Sequence, residues 1–115
     1  MKKTKKQLLK IKCVKRATQQ HLLANPHCIF CGKQANTCHH FIRQSRSNYL
    51  RCDKRNLIPI CTEEHCKLHS GYEQIYTGIL IKKLGQKWFD DLERDSTIRI
   101  KDNLGFWQEM WEKLQ

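Results

Sequence analysis

Cysteine and histidine are concentrated in one part of this 115-residue chain, and that concentration limits what the chain can fold into. Residues 38–69 contain four of the six histidines and four of the seven cysteines. A packed core has no need of so many imidazoles and thiols in one stretch, whereas metal sites use both. A chain of this length buries only a modest core, so a structural metal would add useful stability. The pattern predicts one small domain with one or two metal sites.

The cysteine pattern favours a zinc site over disulfides. Cys28 and Cys31 form a C-x-x-C pair followed by Gly32, a common form of zinc knuckle. The cysteine count is odd, and the N-terminus lacks the uninterrupted apolar segment of a signal peptide. No stretch approaches the roughly 20 apolar residues of a membrane span. We therefore expect a cytoplasmic protein whose thiols stay reduced and bind metal.

Four cysteines can complete one tetrahedral structural zinc site. Cys28 and Cys31 form one half, and the C-x4-C pair Cys61 and Cys66 is expected to supply the other half. His65, next to Cys66, is an alternative to that cysteine. The remaining thiols are interpreted as ordinary buried residues: Cys13, Cys38 and Cys52.

The histidines predict a second site. His39 and His40 lie on a predicted short strand, where neighbouring side chains point to opposite faces, so both reach one site only if the backbone bends. His65 and His69 are four residues apart on a predicted helix and share one face, a separation that can chelate one metal ion. An interpretation as ordinary surface or knuckle histidines is the alternative. Asn56 can fix the preceding loop or orient an imidazole by accepting its N–H, and otherwise is a turn asparagine.

The charge is distributed unevenly and indicates a polyanionic partner. The net charge is +11, no acidic residue precedes Asp53, and residues 1–52 carry twelve lysines and arginines. A one-sided positive field favours DNA or RNA, with a membrane surface as the weaker alternative. We expect phosphate contacts from the N-terminal lysines and from arginines in or next to a basic loop: Lys5, Lys12, Arg43, Arg46, Arg51 and Arg55. A solvated helix face is the alternative for the lysines.

Apolar periodicity and capping residues predict three segments. Residues 1–26 are expected to form a basic N-terminal helix that Asn25-Pro26 ends. Residues 27–71 are expected to hold the metal-binding core, with strands over 37–42 and 57–60 and a helix that Thr62 caps and Gly71 ends. Residues 72–115 are predicted to be a helical extension in which the aromatic side chains are core, with Asp102 or Asn103 as a cap.

The order of these motifs resembles the HNH endonucleases over Cys28 to His69. The order is C-x-x-C, then His-His, then Asn-Leu-Ile-Pro-Ile-Cys, then histidine and cysteine on a helix. Within that family the chain is similar to the phage recombination nucleases of NinG or Rap type. The matching segments are Cys38-His39-His40-Phe41, Arg51-Cys52-Asp53-Lys54-Arg55-Asn56 and Ser70-Gly71. Cys52 replaces a usual aromatic residue, and C-x4-C replaces a usual C-x-x-C.

The resemblance implies an α+β fold: a small zinc-stapled ββα-metal finger, also called a His-Me finger, with flanking N- and C-terminal helices. It also implies a metal-dependent endonuclease that hydrolyses DNA phosphodiester bonds in phage recombination or processing, in the cytoplasm of a bacterial host. His40 would be the general base and Asn56 would orient it. His39 and His69, with His65 as a further ligand, would hold a divalent ion, Mg²⁺ being the expected one beside the structural Zn²⁺. If the chain is aligned with the family at Asn56, His65 and His69 both fall at the family's metal-ligand positions. If it is aligned at Cys66, only His69 does.

Two other functions fit parts of the same pattern. A non-catalytic zinc module that binds nucleic acid would need only the closed zinc site. A ribonuclease that uses paired histidines without metal would cleave in excess chelator. Duplex and branched DNA both remain open as substrates, and so does the oligomeric state, with a homodimer as one option.

Overall fold

Five α-helices and one antiparallel β-hairpin make up residues 2–115, the part of the chain that this computed structural model describes. The architecture confirms the predicted α+β class. The helices are α1 (Lys5–Ala24), α2 (Thr62–Lys67), α3 (Glu73–Leu84), α4 (Gln86–Asp95) and α5 (Leu104–Lys113), and the strands are β1 (Thr37–His40) and β2 (Leu57–Ile60).

Helix α1 stops at the predicted Asn25-Pro26 and begins with a capping box formed by Thr4 and Gln7. The Thr4 hydroxyl accepts the backbone N–H of Gln7 at 3.1 Å, and the Gln7 side chain accepts the backbone N–H of Thr4 at 2.8 Å. This reciprocal pair satisfies two donors that a helix start leaves free. The helix stops at Ala24, and the following Asn25 precedes Pro26, which disfavours helical backbone in the residue before it.

Helix α1 lies along α5, so the two ends of the chain share one core. Cys13 and Ala17 are buried beneath Trp107, which is fully buried on α5. Asp102 joins the two helices because its carboxylate lies 3.1 Å from Lys10 Nζ and accepts the indole N–H of Trp107 at 2.8 Å. The segment boundaries predicted at residues 26 and 71 stay a prediction.

The two strands form the hairpin that carries the first histidines. Thr37 pairs with Ile60 and His40 pairs with Leu57 in antiparallel register. Strand β1 ends at His40 and is two residues shorter than predicted. All four residues of β2 are buried, and its proline is tolerated because the Pro59 carbonyl still accepts the backbone N–H of Ile29 at 3.1 Å.

The connection between the strands has a core of its own. Ile42 and Leu50 are buried against Leu92 of α4, so the basic loop is anchored to the C-terminal helices. The indole N–H of Trp88 adds a hydrogen bond to the Arg55 carbonyl at 2.9 Å. The loop is therefore a packed element, although its sequence is polar and basic.

Helix α2 starts one position away from the prediction. Cys61, not Thr62, is the N-cap, and it makes no side-chain capping bond. The cap comes instead from Asn36, whose side-chain oxygen accepts the backbone N–H of Thr62 at 2.9 Å and its hydroxyl at 3.1 Å. Asn36, which lies outside the helix, thus satisfies the free backbone donor of Thr62 at the helix start.

Glycines set the direction of the chain after α2. A wide helical turn, Leu68–Tyr72, continues α2 and is kinked at Ser70 and Gly71. Gly71 has φ of +98° and Gly85 has φ of +101°, a backbone region that L side chains rarely adopt. The first glycine lets α3 fold back over the hairpin, and the second separates α3 from α4.

The last helix and the aromatic residues agree with the expected helical extension. Asn103 is the N-cap of α5, and its side chain accepts the backbone N–H of Phe106 at 2.9 Å. Phe106 and Trp111 pack partly buried around the fully buried Trp107. Among residues 2–115, no helix combines the length and the apolar character that crossing a bilayer requires.

Candidate metal centres

Three cysteines from distant parts of the sequence meet at one point. The Sγ atoms of Cys28, Cys31 and Cys61 all lie within 4.8 Å of one another. The first two come from the turn after α1, and Cys61 comes from the junction of β2 and α2. The Sγ atoms of Cys31 and Cys61 are 3.6 Å apart, although thirty residues separate them. The three thiols are placed to hold a metal ion.

The turn that carries Cys28 is shaped for a thiolate. The Gly32 backbone N–H donates to the Cys28 carbonyl at 2.9 Å, and the Cys28 N–H donates to the Lys33 carbonyl at 2.6 Å. Burial by itself raises the pKa of the Cys28 thiol, but hydrogen bonds from the backbone N–H groups of Cys61, Phe30 and Cys31 outweigh it and leave that pKa below its ordinary value. Stabilising the charged form favours metal binding, because the thiolate is the ligand.

The fourth predicted zinc cysteine does not join this group. Cys66 is exposed and lies outside the set of three. The three cysteines interpreted as core residues are all buried, and burial raises the pKa of Cys38 to about 11 and that of Cys52 to about 12. Those thiols stay protonated at cellular pH and belong to the core between α1 and α5.

Three histidines form a second group, on the hairpin and on the helix that follows it. Ring nitrogens of His39, His65 and His69 all lie within 4.8 Å of one another. His65 is on α2 and His69 is in the wide turn after it, and their Nε2 atoms are 3.0 Å apart. The rings of His39 and His65 have centroids 5.5 Å apart, in edge-to-face orientation. The predicted i, i+4 pair therefore converges with one member of the His-His pair.

This group favours neutral imidazoles. Burial, and then the neighbouring His65, His69, His40 and Arg43, lower the pKa of His39 to about 4. Burial followed by His69 also lowers the pKa of His65. A positive charge close to an imidazole ring disfavours protonation of that ring, and these three rings lie close together. The lone pairs of His39 and His65 are therefore available to a metal ion at neutral pH.

His40 has a different partner from His39. Its Nε2 atom lies 2.9 Å from the backbone carbonyl oxygen of Arg51. A carbonyl only accepts, so Nε2 carries the proton and Nδ1 keeps its lone pair. Burial and then the Arg51 charge lower the pKa of His40, and the carbonyl bond offsets part of that shift. The result is a half-buried, neutral imidazole of defined tautomer.

Asn56 and His40 were expected to contact each other, but each bonds to a different backbone segment. His40 bonds to the carbonyl of Arg51, and Asn56 bonds to the backbone of Ile42 and Leu50. The Asn56 amide oxygen accepts the backbone N–H of Ile42 at 2.6 Å, and its amide nitrogen donates to the carbonyls of Ile42 at 3.0 Å and Leu50 at 3.3 Å. Asn56 is completely buried. It closes the long connection of the hairpin, and the Arg51 carbonyl takes the place that Asn56 was expected to fill.

The predicted phosphate-binding arginines differ in how freely their charges are available. Arg55 bridges Asp53 at 2.8 Å and Asp95 at 3.0 Å, and these carboxylates raise its pKa. Arg46 binds Glu93 at 3.1 Å. These two guanidinium groups support the loop.

Arg43 and Arg51 are closer to the histidines. Arg43 is well exposed and has a loose 3.6 Å ion pair with Glu73. Arg51 donates to the Gln44 side chain at 3.0 Å and to Asn48 at 3.1 Å, with no carboxylate partner among its hydrogen bonds in the described residues. The charge of Arg51 acts on the imidazole of His40 and, after burial, helps to lower the pKa of that ring.

The N-terminal lysines lie on the exposed side of α1. Lys5 and Lys12 are both exposed, and Lys12 Nζ lies 5.4 Å from the ring centroid of Trp111. Lys6 and Lys10, which the sequence did not single out, approach the Asp102 carboxylate at 3.5 and 3.1 Å. Part of the positive charge of α1 is therefore paired with Asp102 and helps to hold α1 against α5.

Two features near the sites were missed at the level of sequence. The Arg51 carbonyl is a backbone group and carries no residue-type signal. Glu64 on α2, whose carboxylate accepts the hydroxyl of Tyr76, lies three residues after Cys61, and that spacing was visible in the sequence. Comparisons of the chain with protein-family models, with curated proteins and with solved structures found no match.

The two donor sets fit different ions. Three thiolates select Zn²⁺ among common biological metals, and at least one further ligand is needed for its tetrahedral geometry. Three imidazoles suit Zn²⁺, Ni²⁺, Co²⁺ or Mn²⁺ and offer none of the oxygen ligands that Mg²⁺ prefers. Both groups fit a metal ion by their chemistry as well as by their spacing.

Proposed function

We propose that this protein is a metal-dependent endonuclease of the HNH type that hydrolyses DNA phosphodiester bonds. One observation carries the proposal: His39 of the three-histidine group is followed directly in the chain by His40, an imidazole that a backbone carbonyl holds in one tautomer. A structural zinc site needs no such neighbour. A hydrolase needs a base next to its ion.

The order of the elements supports this proposal. A hairpin is followed by a short helix, the hairpin contributes His39 and His40, and α2 with the wide turn after it contributes His65 and His69. The three-cysteine group ties the turn before the hairpin to the start of that helix. This is the arrangement expected from the resemblance to the HNH endonucleases, with one metal ligand and the base on neighbouring residues of one strand.

The proposed roles follow from the contacts of each residue. The Nδ1 lone pair of His40 takes a proton from the attacking water, while its Nε2–H remains on the Arg51 carbonyl. His39, His65 and His69 hold the ion, which when bound would offset the charge that develops on the scissile phosphate. Asn56 keeps the loop in place so that the Arg51 carbonyl stays beside His40.

The three-histidine donor set changes which metal ion we expect at this site. Nitrogen ligands from three histidines favour Mn²⁺, Co²⁺, Ni²⁺ or Zn²⁺ over Mg²⁺, although substrate phosphate oxygens would add oxygen ligands during the reaction. We therefore propose that Mn²⁺ or Ni²⁺ supports higher activity than Mg²⁺ at equal concentration.

DNA is the proposed substrate because of charge. The surplus of positive charge lies before Asp53 and includes Arg43 and Arg51 next to the histidines. Phosphate contacts of this kind position a backbone without reading its sequence. By the resemblance to phage recombination nucleases, branched recombination intermediates are the first substrates to compare with plain duplex.

Plasmid nicking in Mn²⁺ tests the proposal. The wild type is compared with His40→Ala, which removes the base, and with His27→Ala, which removes an exposed histidine outside both metal groups. We expect His40→Ala to lower the rate by about 10²–10⁴-fold, the usual contribution of a general base. His27→Ala should keep wild-type activity, and all three proteins should contain equal zinc. Equal nicking by His40→Ala and wild type would refute the assigned role.

A non-catalytic zinc module that binds nucleic acid is the second candidate. It is favoured by the separate partners of the two adjacent histidines, since His39 contacts His65 and His69 whereas His40 contacts Arg51. A protein that binds DNA and zinc but nicks no duplex, single-stranded or branched substrate with any of these ions would have this function.

A further inference from the structure

The three-cysteine group lacks one ligand of a closed zinc site. Structural zinc is almost always bound by four protein ligands in tetrahedral geometry. Cys28, Cys31 and Cys61 provide three of them. Among the described residues the group contains no fourth side chain, so the residue that completes the site has to turn its side chain toward the three thiols.

Glu64 has the correct position along the chain. It lies three residues after Cys61, so Cys61-Thr62-Glu63-Glu64 has the spacing of a C-x-x-C pair with glutamate in the last position. The backbone is helical here, since the His65 N–H donates to the Cys61 carbonyl at 3.0 Å. Residues three apart on a helix share a face, so Glu64 projects from the same side of α2 as Cys61.

Contacts of the Glu64 side chain place its carboxylate against a tyrosine that packs in the same cluster as two of the thiols. Glu64 accepts the hydroxyl of Tyr76, and Tyr76 is buried in the same apolar cluster as Cys28 and Cys61. The ring of Tyr76 packs on Phe30, with centroids 4.6 Å apart, and Phe30 lies between Cys28 and Cys31 in the knuckle turn. The tyrosine therefore joins the glutamate to the turn that carries two of the thiols.

We propose that Glu64 is the fourth ligand of the zinc site, which would have three sulfur donors and one carboxylate oxygen. One carboxylate oxygen stays on the Tyr76 hydroxyl and the other is free to bind the ion. Carboxylate oxygens are established zinc ligands, and a hydrogen bond to the far oxygen is the usual way in which a protein orients such a ligand. Tyr76 is thus a positioning residue, and the proposal is independent of the nuclease function.

The two competing ligands are less well placed. Cys66 follows Cys61 by five residues, which at about 100° per residue turns its side chain well away from that of Cys61. His65 lies with its Nε2 atom 3.0 Å from that of His69 and belongs to the histidine group. Cys66 could bind the zinc only if α2 turned or unwound, and His65 only if it left the histidine group.

X-ray absorption at the zinc edge tests the proposal. The full-length chain is loaded with one equivalent of zinc, and His69→Ala is introduced in every sample so that the histidine group does not contribute. We expect three sulfurs and one light-atom ligand in this background, no change on adding Cys66→Ser, and four sulfurs on adding Glu64→Cys. Zinc loss to a competing chelator should be faster with Glu64→Gln and, to a smaller extent, with Tyr76→Phe.

Other results would overturn it. Four sulfurs in the starting protein that fall to three with Cys66→Ser would make Cys66 the ligand. If the starting protein shows three sulfurs and Glu64→Gln loses zinc to the chelator no faster than the starting protein does, the fourth ligand is a solvent molecule. If Glu64→Gln fails to fold, the Glu64→Cys protein still tests the proposal. Its zinc would keep three sulfurs if position 64 does not face the ion.

Discussion

The Nε2 atom of His40 lies 2.9 Å from the carbonyl oxygen of Arg51, eleven residues further along the chain. The carbonyl belongs to the loop that Asn56 closes, so the state of this imidazole depends on a backbone group held by tertiary contacts. Nitrogen NMR of the histidine side chains should show His40 as the neutral Nε2–H tautomer at pH 7, because the carbonyl can only accept. The Nδ1–H tautomer would contradict this geometry.

Removing histidine ligands should remove one metal and leave the other. We expect calorimetric titration with Zn²⁺ or Ni²⁺ to show two sites in the wild type and one site in His65→Ala, His69→Ala or the double variant. His27→Ala is the matched control and should keep two sites. If the histidine variants still bind two ions, or lose both, the two groups are not independent sites.

Asn56→Ala should destabilise the fold more than any substitution of an exposed polar residue. The amide is fully buried and makes three hydrogen bonds to the backbone of Ile42 and Leu50, so its loss leaves buried backbone groups without partners. We expect a decrease of about 2–4 kcal/mol in the free energy of unfolding, measured by urea denaturation of the zinc-loaded protein.

Asn48→Ala is the control for that substitution. Asn48 accepts one hydrogen bond from Arg51 at the part-buried edge of the same loop, so we expect a decrease below about 1 kcal/mol. Comparable losses in the two variants would mean that Asn56 does not hold the loop together. Asn56→Ala should also broaden the His40 signal, since the Arg51 carbonyl would no longer be held in place.

Asp102 should make the contact between α1 and α5 depend on pH. The hydrogen bond from Trp107, followed by Lys10 and Lys6, lowers the pKa of its carboxyl group in the folded protein. A carboxyl group whose pKa is lower in the folded state stabilises the fold above the unfolded pKa of about 3.9, and that contribution is lost as the pH falls through the folded pKa. The stability difference between wild type and Asp102→Asn should therefore be present at pH 6 and disappear toward pH 2–3.

Asp102→Ala separates the charge from the hydrogen bond. Asparagine can still accept the Trp107 indole N–H, whereas alanine leaves that buried donor without a partner, which costs about 1–3 kcal/mol. Asp102→Ala should thus be less stable than Asp102→Asn at every pH at which both fold, measured by urea denaturation. Equal stabilities would mean that the indole bond does not contribute.

Local patterns were sufficient for the features that depend on near neighbours in sequence. Asn103 as a candidate cap, the helix stop at Asn25-Pro26 and the C-x-x-C turn at Cys28 and Cys31 were predicted because capping and turn geometry involve residues only a few positions apart. The pairing of His65 with His69 was predicted for the same reason, since i and i+4 on a helix must share a face.

The features that sequence patterns missed all join residues that are distant in the chain. Periodicity places His39 and His40 on opposite faces of a strand but does not say which face meets α2, and that was settled by how the hairpin packs. Spacing alone favoured Cys66 as a zinc ligand, whereas the start of α2 at Thr62, capped by Asn36, leaves that thiol exposed. Hydrogen bonds to the Arg51 carbonyl and the Asn56 amide depend on a loop whose shape comes from burying Ile42 and Leu50 against Leu92. Local geometry follows from short-range sterics and hydrogen bonding, but the convergence of distant side chains follows from which apolar surfaces are buried together.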